Sequence, residues 1–157
     1  MKLKLSQFSL LLALFCLLTG SNSFAVVTGE LIMVRSAEAF PETMSLLQEA
    51  IHKQGYQLSR VQRVDVGLSA KGYATDKYRI VFFGKGREIQ QISAKYPQLI
   101  PYLPLKIAIF AEDDNTILIS ANPSTYNDLF NIPELKPTFD KWFIDITKIM
   151  KSVQIQN

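Results

Sequence analysis

Leu105-Lys-Ile-Ala-Ile-Phe-Ala111, Glu112-Asp-Asp-Asn115 and Thr116-Ile-Leu-Ile-Ser-Ala121 read consecutively as strand, turn and strand. This stretch decides the fold. Two β-rich apolar runs joined by four polar residues form a hairpin, and a hairpin means an antiparallel sheet. The elements on either side must then supply the rest of that sheet and the layer that covers it.

Downstream, Asn122 before Pro123 reads as an N-cap followed by proline at the first helical position, which starts a short helix. From Pro137 to Val153 the residues Phe139, Trp142, Phe143, Ile146, Ile149, Met150 and Val153 make one apolar stripe. Asp140, Lys141, Asp145, Lys148 and Lys151 are read onto the other side of this helix. Upstream, Pro97 to Pro104 reads as an irregular connection. Before it a helix carries Ile89, Ile92 and Tyr96, preceded by Gly84 and Gly86 and by a strand over Lys77 to Phe83. Tyr56 to Val66 alternates and reads as a further strand, followed by a loop through Gly67 and Gly72. Phe40, Met44, Leu47 and Ile51 fall on one face of a helix that Gly55 ends, and Val26 to Arg35 reads as the first strand.

The order is therefore β-α-β-β-α-β-β-α with a short extra helix before the last. Its economical solution is an α+β two-layer sandwich, a mainly antiparallel five-stranded sheet with helices on one face. Val81, Phe83, Ala108, Phe110 and Leu118 are read as alternating with Ile80, Phe82, Ile107, Ile109 and Ile117, so both faces of the sheet carry apolar side chains. A second apolar face needs a cover. A homodimer is the leading expectation; a bound apolar ligand or the short helix near Tyr126 are the alternatives.

The N-terminus opens with Lys2 and Lys4, continues through the apolar run Phe8 to Leu18, and turns small and polar at Thr19 to Ser23. That is the layout of a secretory signal peptide, and Ser23 and Ala25 have the spacing of a cleavage site after Ala25. The apolar run is too short for the ~20 residues of a membrane span. Phe15 before Cys16 excludes a lipoprotein signal, so Cys16 belongs to the apolar core of the leader. The expected products are residues 1–25 as signal peptide and residues 26–157 as a single exported domain of 132 residues, periplasmic first and extracellular as the alternative. Its formal charge falls from +3 to +1, which argues against nucleic acid as a partner. With no cysteine and one histidine, His52, it offers no structural zinc site, and no cofactor is expected.

Gly55-Tyr56, Asp65-Val66-Gly67, the run from Asp76 through Lys77-Tyr78-Arg79-Ile80-Val81-Phe82-Phe83 to Gly84, Leu103-Pro104-Leu105-Lys106 and Ser120-Ala121-Asn122-Pro123 together resemble the bacterial domain-of-unknown-function 302 family over Phe40 to Tyr126. The resemblance implies a two-layer α/β fold of TATA-binding-protein-like topology, often dimeric, and implies no activity. Relatives commonly continue Phe-Gly with Asn-Pro. This chain has Phe83-Gly84-Lys85-Gly86 instead, so no role of that asparagine carries over.

Two groups of residues are candidates for ligand contact. Gly84-Lys85-Gly86-Arg87 lies between a strand and a helix, where backbone N–H groups flanked by Lys85 and Arg87 can hold a carboxylate or phosphate. It is not a dinucleotide motif, because Ile89 stands where a third glycine belongs. Asp65, Tyr78, Arg79, Ser120 and Asn122 stand near strand ends and are candidates to line a pocket, set against the plainer readings that Arg79 pairs with Asp65 and Asn122 caps a helix. Glu112 to Asp114 lacks the oxygen pattern of a calcium loop and is a hairpin turn. No catalytic set emerges. The expected function is a non-enzymatic binding module for a small or anionic ligand or a partner protein. The alternatives are a cofactor-independent enzyme using Asp65, Tyr78 and Arg79, or a structural protein.

Overall fold

In the computed structural model, which describes residues 26–154, six strands form one antiparallel sheet in the order β1-β2-β6-β5-β4-β3. They are β1 (Val26–Thr28), β2 (Leu31–Ser36), β3 (Gln57–Arg63), β4 (Tyr78–Gly84), β5 (Leu105–Glu112) and β6 (Asn115–Ala121). The helices are α1 (Phe40–Lys53), α2 (Val64–Ser69), α3 (Gly86–Lys95), α4 (Tyr126–Phe130) and α5 (Lys136–Val153), with 3-10 turns at Pro97–Tyr102, Pro123–Thr125 and Pro133–Leu135. The expected leader, residues 1–25, lies outside the described residues. The α+β class and the antiparallel sheet are as expected from the β5–β6 hairpin, whose register pairs Ala108 with Ile119 and Phe110 with Ile117.

The sheet differs from expectation at two places. Val26 to Arg35 is two strands, because the chain turns at Gly29-Glu30 and pairs Val27 with Ile32, so the sheet has six strands where five were expected. The alternation that continues from Tyr56 to Val66 stops being strand at Arg63, and Val64 onward winds into α2. Period-2 patterning cannot mark that change, because a six-residue helix is too short to show its own period.

The core lies between one face of the sheet and α1, α3 and α5. Ile32 and Val34 from β2, Val81 and Phe83 from β4, Leu105, Ile107 and Ile109 from β5 and Leu118 from β6 meet Leu47 and Ile51 of α1, Ile92 of α3 and the stripe Phe139, Trp142, Ile146, Ile149, Met150 and Val153 of α5. Helix α1 ends as its glycine dictates. Gly55 takes φ 76°, which lets the Tyr56 N–H reach the Ile51 carbonyl at 3.1 Å and the Gly55 N–H reach that of His52 at 2.9 Å. Asp145, read from sequence onto the polar side of α5, is instead buried.

The opposite face has no helix over it among the described residues. Its middle row, across four strands, is Met33, Ile119, Ala108 and Ile80; the next row is Arg35, Ile117, Phe110 and Tyr78. The strand pairing also corrects the sequence reading of β5. Ile107 and Ile109 share the core face with Val81, Phe83 and Leu118, and Ala108 and Phe110 share the open face with Ile80 and Phe82. Both faces are apolar all the same. The short helix near Tyr126 does not cover the open one, because Tyr126 is buried in the core cluster on the helical side.

Candidate functional site

The open face is hollowed at one end. A pocket of about 450 Å³ is floored by Ala108, Phe110 and Ile119, with Tyr78 beside them and Thr75, Asp76, Lys77 and Ala111 completing it. Its cause is local. Ala108 stands between Ile119 and Ile80 in the middle row, so a methyl group occupies a place where its neighbours carry four-carbon side chains. Tyr78 and Phe110, cross-strand partners, meet edge to face with centroids 6.4 Å apart and form one wall. This volume lies within the usual range for small-molecule sites.

The seven residues singled out from sequence do not form one cluster. Tyr78 lines this pocket. Arg79, next in the strand, points to the other face, where it forms an ion pair with Asp65 and lies 5.6 Å from the Phe40 ring centroid. Both partners are largely buried, and the guanidinium hydrogen bond holds the Asp65 carboxyl below the ordinary carboxylate range against its partial desolvation. Asp65, Tyr78 and Arg79 are therefore divided between the two sides of the sheet.

At the far end of β4, Lys85 extends over the Tyr56 ring at 4.9 Å, and Arg87 is exposed. The first turn of α3 already carries a carboxylate, Glu88, which accepts a hydrogen bond from Trp142 Nε1 at 3.1 Å. Gly84 has a packing reason of its own: a Cβ there would lie 2.2 Å from Cδ1 of Ile89. Ser120 is buried on the core face, where its hydroxyl donates to the Lys106 carbonyl at 2.9 Å, and it lines a second hollow of only about 10 Å³ with Tyr102, Pro123 and Tyr126. That space is at the lower limit for a single water. Asn122 ties the N-terminal hairpin to the chain leaving β6. Its Nδ2 donates to the Gly29 carbonyl at 2.9 Å, and its Oδ1 accepts from the Ser124 N–H at 3.0 Å, the capping role read from sequence.

Sequence reasoning missed the buried carboxylate of the core and its partners. The Tyr56 hydroxyl donates to Asp145 Oδ2 at 2.6 Å, and Lys141 Nζ reaches the same oxygen at 2.5 Å. Burial, reinforced by the neighbouring carboxylate, pushes the Tyr56 phenol far above its ordinary value. The signal was present, since position 145 lies three residues after Trp142 and four before Ile149, inside the apolar stripe. An acid at such a place is buried and paired, here with a tyrosine on the opposite layer. Among the described residues there is no cluster of metal-ligating side chains, and no helix is long and apolar enough to cross a membrane.

Comparison with known proteins adds a family and a fold. A family described as "Domain of unknown function DUF302" matches residues 32–153. A solved structure, the crystal structure of an uncharacterized conserved DUF302 protein from Bacillus stearothermophilus, is similar with a TM-score of 0.73 at 17% identity, over 81% of this chain and 100% of that one. No curated protein matches.

Proposed function

Because the chain belongs to the DUF302 family of domains of unknown function, a description that assigns no activity, we propose its function from its own geometry. It is an exported, non-enzymatic binding module whose binding surface is the open face of the sheet, and a second copy of the chain covers that face. One observation carries this reading: the open face is apolar across four strands, with Leu31 and Met33 41% and 39% exposed and a pocket at its end.

Four strands ~4.8 Å apart and about six residues long span roughly 400 Å² in projection, the scale of a small interface, with Leu31 and Met33 its most exposed apolar side chains. The Arg35–Glu112 ion pair stands at the margin of this apolar centre, and Lys106 and Arg60 are exposed on the strands beyond it. An apolar centre with a charged rim is the usual anatomy of such a surface. A twofold axis lying between the two sheets and parallel to their planes would match each patch with itself and close the assembly at two copies.

Native mass spectrometry of the product recovered from the periplasm of an expression host tests both parts. The expected species is a dimer of residues 26–157, reduced to monomer by Ile119→Lys, with the circular dichroism spectrum unchanged because Ile119 lies on the face away from the core. A monomer of the unsubstituted chain overturns the covered-face reading. Product retained in the cytoplasm with its first 25 residues overturns export.

A further inference from the structure

The pocket on the open face has a chemical character that narrows what it takes. Its floor and wall are Ala108, Ile119, Phe110 and Tyr78, and the one carboxylate lining it is Asp76. Among the described residues the Asp76 side chain has neither a hydrogen bond nor an ion pair. Two cations stand near it in sequence: Arg79 is paired with Asp65 on the core side, and Lys77, which also lines the pocket, carries its ammonium 5.9 Å from the centroid of the Phe40 ring. The pocket thus combines an apolar floor, two aromatic rings in edge-to-face contact and one carboxylate without a direct partner at its exposed rim, the nearby ammonium being turned toward Phe40.

From this combination we infer that the pocket binds a small amphipathic cation, with its hydrocarbon or aromatic body on Ala108 and Ile119 and its ammonium group at Asp76, within reach of the Tyr78 and Phe110 rings. Three effects act together. Apolar area leaves water on the floor, the carboxylate offers an opposite charge, and aromatic rings attract cations through their quadrupoles. An anionic amphiphile of the same shape would gain the first and be repelled by the second. The inference rests on the open face being the binding surface, but it does not depend on the dimer.

The test uses three probes of one shape with different head groups: phenylbutylamine, phenylpentanoate and phenylbutanol, each titrated into the mature chain by calorimetry at low and at moderate salt. The amine is expected to bind about tenfold more tightly than the carboxylate at low salt, with the alcohol between them and the margin shrinking as salt screens the rim. Asp76→Asn should bring the amine and the alcohol together. Ala108→Phe should fill the hollow and abolish binding of all three. Native mass spectra of the same samples report the oligomeric state separately, so a monomer that still selects the amine overturns only the dimer. Equal affinity for amine and carboxylate, amine binding that survives Ala108→Phe in a folded protein, or no binding of any probe overturns the cation pocket.

Discussion

Replacing Tyr56 by phenylalanine removes one oxygen atom and tests whether the buried Tyr56–Asp145 pair, with the exposed Lys141 on the same carboxylate, holds α5 to the sheet. The ring would keep its edge-to-face contact with Phe83, 5.5 Å between centroids, and Asp145 would keep Lys141. What disappears is a hydrogen bond of 2.6 Å to a buried carboxylate, from a tyrosine only 2% exposed. Hydrogen bonds to charged groups contribute about 1.5–3 kcal/mol. With a urea dependence of roughly 1.5 kcal/mol per molar for a domain of this size, a cost of ~2 kcal/mol lowers the unfolding midpoint by about 1.3 M. Trp142, buried on the same helix as Asp145 and hydrogen-bonded to Glu88 of α3, provides a fluorescence signal for the titration. In an Asp145→Ala background the same tyrosine substitution should cost under about 0.5 kcal/mol, because its partner is already gone. The pH dependence follows from the raised phenol. An unfolded tyrosine ionises near pH ~10, and the folded one keeps its proton to higher pH. Its contribution is therefore complete below pH ~10 and is lost as pH rises through the folded value, so Tyr56→Phe should decline less steeply in alkali. A midpoint shift below about 0.3 M, or an equal cost with and without Asp145, would refute the assigned role.

Two further outcomes follow from the packing. Gly84→Ala should cost about 1–2 kcal/mol, since the new methyl displaces the end of Ile89, and Ile89→Val in the same chain should recover part of it in a denaturant titration. Asp65→Asn should leave a flatter acid limb of stability: the lowered Asp65 pKa contributes above the unfolded value of ~3.9 and is lost as pH falls through the folded one, a difference read from thermal unfolding between neutral and acid pH.

The parts of the fold that sequence disclosed are those where period and punctuation agree. The β5–β6 hairpin has a polar turn between two apolar runs, α1 has its face and its Gly55, and α5 has a stripe in which six of the seven apolar residues named are fully buried. Where one signal stood alone, the reading slipped. Gly29 lies inside a Val- and Ile-rich run that reads as one strand, yet the turn it makes with Glu30 divides that run in two. The division of β5 residues between the faces was reversed because alternation says that neighbours differ, not which of them faces the core; strand register with β4 and β6 settles that. The candidate site was legible in Tyr78 alone. Its pocket depends on a cross-strand neighbourhood, Ala108 beside Ile119 and Ile80, that no local pattern reveals.

The position of β2 beside β6 sets the order in which the chain can fold. Strands β3 to β6 follow one another in the sheet as they do in the chain, so they can zip up through neighbouring segments. β2, by contrast, must wait for a strand that begins some eighty residues later, pairing Ile32 with Ser120 and Val34 with Leu118. Such long loop closures are slow. During synthesis the N-terminal hairpin is made first and docks last, with Ile32 and Val34 uncovered in the interval.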